Sequence, residues 1–171
     1  KRISLRISQL DGRVTLTLPR RVSDAEGIAF AREKEAWLRG HLDQRGADQD
    51  VSDGTRLPIE GRERIVQTCT GRCVVFEGDT LLVPGKEEQI GARAQAFLKQ
   101  MARDKLAAAS DHYASVLGKP YTRISIRDTR SRWGSCSSAG ALMYSWRLIL
   151  CPSEVLNYVA AHEVAHLAEM N

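Results

Sequence analysis

The sequence predicts an α+β fold, and three observations predict it. The front half alternates apolar and polar residues in short runs broken by glycine, as paired strands do. After Pro84-Gly85 a long run repeats apolar residues at spacings of four and three, as an amphipathic helix does. The closing stretch from Cys151 to Asn171 is again helical in pattern and is small or apolar where it is not polar by design.

In chain order, Ile3, Leu5 and Ile7 alternate with Ser4, Arg6 and Ser8, and Val14, Leu16 and Leu18 alternate with Thr15 and Thr17. Asp11-Gly12 between the two runs is a strong hairpin signal. Pro19 ends the second strand, and Ser23-Asp24-Ala25-Glu26 is a capping box. It opens a helix expected to carry Ile28, Phe30, Trp37, Leu38 and Leu42. The polar, Gly- and Asp-rich stretch from Asp43 to Thr55 reads as a loop. Strand-like runs follow near Leu57–Ile59, Arg64–Thr68, Cys73–Phe76 and Thr80–Val83, punctuated by Gly61, Gly71 and Gly78-Asp79. The next helix places Ile90, Ala94, Phe97, Met101, Lys105, Ala109, Tyr113 and Val116 on one stripe, and Gly118-Lys119-Pro120 stops it. His112, near its end, reads as solvated surface. Arg123–Arg127 and Ala141–Leu150 alternate as strands, on either side of the small-residue segment from Arg130 to Ser138.

Pro152 suits the first position of the last helix, where its missing N–H costs nothing, and Glu154 adds negative charge to the first turn. Val155, Val159, His162, His166 and Met170 recur at spacings of three and four, so the histidines are expected on the inward stripe. His162-Glu163-Val164-Ala165-His166 sets two imidazoles on one helical face about a turn apart. That arrangement suits two nitrogens closing on one metal ion, with Glu163 beside them in reach of a water on the ion's open side.

The chain has 171 residues, 43% hydrophobic and 27% charged, which places it among soluble globular proteins. No apolar run reaches the length of a membrane span and no signal peptide is visible, so the cytoplasm is the expected location. The net charge of +4 is a weak signal for nucleic acid and is more often just a solvated surface. Cys69, Cys73, Cys136 and Cys151 form no C-x-x-C pair. Cys69 and Cys73 could meet across Thr70-Gly71-Arg72, but free thiols in a reducing compartment are the expectation.

Arg132-Trp133-Gly134-Ser135-Cys136, Trp146-Arg147-Leu148 and His162-Glu163-Val164-Ala165-His166, in that order, resemble the YgjP-like metallopeptidase family, proteins described as zinc-dependent hydrolases. The order of elements ahead of these motifs follows the family too. The resemblance implies a zincin-like catalytic domain with a long backing helix, a short sheet and an active-site helix. The expected division is a small antiparallel β lobe with one inserted helix over residues 1–84, then this catalytic domain over 85–171, incomplete at its C-terminal end. One Zn²⁺ is implied, with His162 and His166 as ligands and Glu163 as general base. The family's third ligand is a histidine in an Asn-His pair; Asn171 matches the Asn, so that ligand is expected just after Asn171. Glu169 is the only substitute nearby, and a straight helix would hardly let all three groups converge.

Around the motif, Arg132, Gly134, Ser135, Arg147 and Tyr158 are the candidate substrate-binding residues. In one reading Gly134 lets backbone approach a substrate, and Arg132 or Arg147 offers charge to a developing oxyanion. In the other, the arginines hold sheet to helix. Trp133 and Trp146 are expected to be core anchors, and nothing nearby marks Cys136 as an activated nucleophile. The chemistry expected is metal-assisted hydrolysis, with a peptide or protein substrate. A non-peptide bond such as a nucleotide phosphoanhydride is one alternative, with arginines gripping phosphate. A non-catalytic, metal-stabilised module binding DNA, suggested by similarity of the helix to SprT-like proteases, is another.

Overall fold

A computed structural model describes residues 2–7, 13–43, 50–129 and 132–170 of the chain. They fall into two compact units, Lys1–Gln49 and Asp50–Asn171. The division expected after residue 84 falls inside the second unit. Ile59, Val66, Leu81 and Val83, from before it, are fully buried in the same core as Ile90 and Leu106, from beyond it.

In the first unit β1 (Ser4–Ile7) and β2 (Val14–Thr17) pair antiparallel, Ser4 opposite Thr17 and Ile7 opposite Val14. The Asp11-Gly12 turn lies outside the described residues, as do residues 44–49 of the loop expected from Asp43. The capping box forms: Glu26 N–H donates to Ser23 Oγ and Ser23 N–H to the Glu26 carboxylate, opening α1 (Asp24–Glu33). The single helix expected through Leu42 is broken at Lys34, and α2 resumes at Glu35–Asp43. The four residues Arg32 to Glu35 are all charged, so no apolar side chain holds both halves to one surface. α1 lies against the ribbon at Gly27, where an added Cβ would stand 2.7 Å from Leu18 Cδ2.

The second unit opens with two hairpins, β3 (Arg56–Ile59) with β4 (Arg62–Cys69) and β5 (Val75–Glu77) with β6 (Thr80–Pro84). Glu60 and Gly61 both take positive φ, 53° and 73°, in the tight turn of the first. The antiparallel lobe expected here is a mixed sheet of order β3-β4-β6-β5, with β4 and β6 parallel. Burial explains the exchange: β6 carries fully buried Leu81 and Val83 and takes the inner place, while β5 takes the edge. Cys69 and Cys73 are free thiols.

α3 (Glu87–Leu117) ends at Gly118, whose φ of 68° is the left-handed cap that glycine favours. Its buried ridge is Ile90, Ala94, Leu98, Ala102, Leu106, Ser110 and Ala114, so Phe97, Met101 and Lys105 of the expected stripe sit beside it, and Val116 is exposed. A four-three rhythm has a period of 3.5 and drifts by about 20° per seven residues against a straight helix. An i+4 row turns the other way and faster, about 40° per step, so the buried ridge winds round α3 instead of keeping to one side.

A second sheet has the order β7-β9-β8, from β7 (Arg123–Arg127), β8 (Gly134–Cys136) and β9 (Ala141–Ser145). The strand expected through Leu150 stops at Ser145, and Trp146–Leu150 is a 3-10 helix. Trp146, Leu148 and Ile149 are all buried; a flat strand would send Ile149 to the opposite face from the other two. Ser145 Oγ accepts the Arg147 N–H at 3.4 Å and starts the turn.

The last helix, α4, runs Ser153–Ala165 with Pro152 one place earlier than expected, at its N-cap. It packs on α3 and the 3-10 helix. The β3–β4 turn braces its start: Glu60 N–H donates to Ile149 O at 2.7 Å, and Gly61 lies so close to Pro152 that a Cβ would stand 2.9 Å from its Cα.

Candidate active site

α4 sorts its side chains onto two faces. Leu156, Ala160 and Val164 are buried and hold the helix to the core. The histidine stripe does not point inward as expected: His162 is exposed, His166 half-buried, Val155 41% exposed and Met170 56% exposed. Imidazoles lose hydration on burial and offer the core nothing that leucine and alanine do not offer better. The acid between them does turn in, and Glu163 is 7% exposed.

The two imidazole centroids stand 4.8 Å apart with their planes at 80°. His166 Nδ1 lies 3.1 Å from the Glu169 carbonyl. With the proton on Nδ1 that contact is a hydrogen bond, which fixes the ring and leaves Nε2 as the free lone pair. α4 ends at Ala165, so Glu169 meets His166 through its backbone, outside the helix.

β8 supplies the floor. A Cβ on Gly134 would stand 2.6 Å from both Cγ and Oε1 of Glu163, so only glycine lets the strand and the carboxylate share this space. Burial pushes the Glu163 carboxyl above its ordinary range, against the opposing pull of His162, His166, Arg132 and the Cys136 N–H. These residues line an open cleft of about 430 Å³ together with Ser135 and Met170.

Of the candidate residues, Arg132, Gly134 and Ser135 therefore reach the cleft with His162, Glu163 and His166. Arg147 does not. Its Nε donates to Asp128 Oδ1 at 2.9 Å and its Nη2 to Oδ2 at 3.2 Å, and its guanidinium covers the Trp146 ring at 5.1 Å. Tyr158 is 69% exposed beside the cleft, its ring stacked on His162 at 6.2 Å. Trp146 is the core anchor expected, but Trp133, 52% exposed, is not; the β8 segment turns it outward. Two lining residues went unassigned in the sequence. Met170 stands four residues after His166, a spacing that marks it. Cys136 reaches the cleft only because β8 is an edge strand, and burial raises its thiol pKa, which disfavours a nucleophilic role.

The donors fit a metal as a pair: two imidazoles one turn apart, one already oriented by a carbonyl, at the mouth of a cleft with an acid beneath. Among the described residues no three His, Cys, Asp or Glu side chains converge as a ligand set. The position expected for the third ligand, after Asn171, lies outside the described residues. No described helix is long and apolar enough to cross a membrane.

A family model described as YgjP-like, metallopeptidase domain, matches residues 1–171. No curated protein and no solved structure matches the chain.

Proposed function

The chain belongs to the YgjP-like metallopeptidase family, and from that premise we propose that it is a zinc-dependent hydrolase of amide bonds in peptides or proteins. The observation that carries this is Glu163, buried at the base of a cleft whose rim holds His162 and His166. A carboxylate is costly to bury, and a site that served only to hold a metal would need none beside an open face.

His162 and His166 are the residues that would hold the ion. A divalent ion bound there supplies Lewis-acid polarisation of a carbonyl and makes a water easier to deprotonate at neutral pH. The chain's own groups do the rest. Glu163 takes the proton of the attacking water and returns it to the leaving nitrogen, the usual work of a general base with a raised pKa. The nearby Cys136 N–H favours the charged form of that carboxylate. Gly134 leaves the carboxylate the space it occupies, and Arg132 offers the cleft's guanidinium to the oxygen on which negative charge develops.

A phosphoanhydride substrate is the weaker reading, because Arg147 is engaged by Asp128 and leaves Arg132 to grip phosphate without it. Glu163→Gln tests the proposal. Hydrolysis of a casein or peptide substrate by the Zn²⁺-loaded chain should fall by roughly 10²–10⁴-fold while metal content stays the same. Retained turnover in that variant removes Glu163 from the mechanism. Nucleotide hydrolysis without peptide hydrolysis replaces the substrate class.

A further inference from the structure

The positive charge of this protein is unevenly placed. Residues 1–22 contain Lys1, Arg2, Arg6, Arg13, Arg20 and Arg21 against Asp11 alone, a net +5 within a chain of net +4, so the remainder is slightly negative. The structure gathers these arginines on one ribbon. Along β1, Ser4 and Arg6 are exposed while Leu5 and Ile7 are half-buried, and Arg2 extends the exposed side. Across the register, exposed Thr17 and Thr15 stand opposite Ser4 and Arg6. Arg20 and Arg21, both exposed, occupy the turn closed by Val22 N–H to Pro19 O at 3.0 Å, at the same end of the ribbon as Arg2. Among the described residues Arg2, Arg6, Arg20 and Arg21 have no carboxylate partner.

From this we infer that the outer face of the β1–β2 ribbon docks duplex DNA through its phosphates. Guanidinium forks alternating with hydroxyls are donors matched to phosphate oxygens. A two-stranded ribbon is of the width the B-form major groove admits, whereas the deep, narrow groove of A-form RNA does not admit it. At about 3.4 Å per residue, the stretch from Arg2 to Ile7 runs roughly 17 Å, the rise of about five base pairs. A bilayer is disfavoured, because a surface-bound amphipathic segment inserts its apolar face, the one turned from its cations. Here that face, with Leu5, Ile7 and Leu16, is covered by α1, where a Cβ on Gly27 would stand 3.2 Å from Leu16 Cδ2.

The test uses the full chain and a fluorescein-labelled 20-base-pair duplex, followed by anisotropy between 50 and 200 mM NaCl. With about four phosphates neutralised, log K should fall against log salt with a slope of about −3 to −4. Arg2→Glu with Arg6→Glu should weaken binding at 50 mM NaCl at least about tenfold and make the slope shallower by about 2. Adding charge on the same face, Thr15→Arg, should tighten binding and steepen the slope by about 1, which serves should the reversed pair fold poorly. Absence of binding at 50 mM NaCl, equal binding by the reversed and native chains, or preference for phosphatidylserine vesicles over duplex would each overturn the inference.

Discussion

Gly134 and Glu163 occupy one space: a Cβ on the glycine would stand 2.6 Å from both Cγ and Oε1 of the acid. Strand β8 and helix α4 are thus fitted to each other at the residue proposed to move the proton. Gly134→Ala must displace either the strand or the carboxylate. Activity is expected to drop on the order of 10²-fold, since small misplacements of a reacting group are costly. Stability is expected to fall by about 1–3 kcal/mol, as for other overpacked sites. Peptide hydrolysis and urea unfolding of the variant check both; native activity would mean that Glu163 has room to spare.

The two arginines named in the sequence separate by position. Arg132 lines the cleft, whereas Arg147 is held by Asp128. Arg132→Ala should lower kcat/KM by roughly tenfold or more, as expected of a lost charge-stabilising contact. Arg147→Ala should leave kcat/KM within about a factor of two and act on stability instead. Steady-state kinetics on the two variants decide the matter, and the reverse ranking would return Arg147 to the site.

Asp128 gives a pH signature. Partial burial raises its pKa, but hydrogen bonds and charge from Arg147 outweigh burial and hold the carboxyl below its usual value. A depressed folded pKa contributes stability that is present above the unfolded value and is lost as pH falls through the folded one. Both partners are about one-third exposed, so the contribution is screened to about 0.5–1 kcal/mol. Asp128→Asn should be less stable than the native chain by that amount at pH 7 and equal to it at the acid end. Urea midpoints across pH give the comparison; a constant difference would assign the effect to packing.

In the core, Tyr144 and Ser110 share a hydrogen bond of 3.0 Å, both residues being fully buried. Burial pushes the Tyr144 hydroxyl up to about 12, so it stays protonated throughout the ordinary pH range. Tyr144→Phe or Ser110→Ala alone strands a buried polar group, at a cost of about 1–3 kcal/mol. The double variant strands neither and should cost less than the two together by about 0.5–1.5 kcal/mol. A double-mutant cycle in denaturant measures the coupling, and strict additivity would show that the pair does not interact.

The spacing of the polar side chains on α4 was legible because it rests on local rules. Helical spacing sets His162 and His166 a turn apart with Glu163 between them, and Pro152, Gly118 and the Ser23–Glu26 box mark boundaries by short-range sterics and hydrogen bonds. Which face of α4 would be buried was not legible. Val155 and Leu156 are equally apolar, and α3 and the 3-10 helix cover Leu156. The end of β9 was obscured for the same reason: alternation runs on through Trp146 and Leu148, while the packing of Ile149 converts the stretch into a turn.

By itself, then, the sequence determined the two imidazoles and their spacing, because a helix converts residue number into direction without outside help. The tertiary structure alone decided that Glu163 lies buried beside Gly134 while the imidazoles stay at the surface. It also placed Arg132 in the cleft and gave Arg147 to Asp128. Those outcomes depend on contacts between residues far apart in the chain, where packing chooses among faces that local periodicity leaves nearly equal.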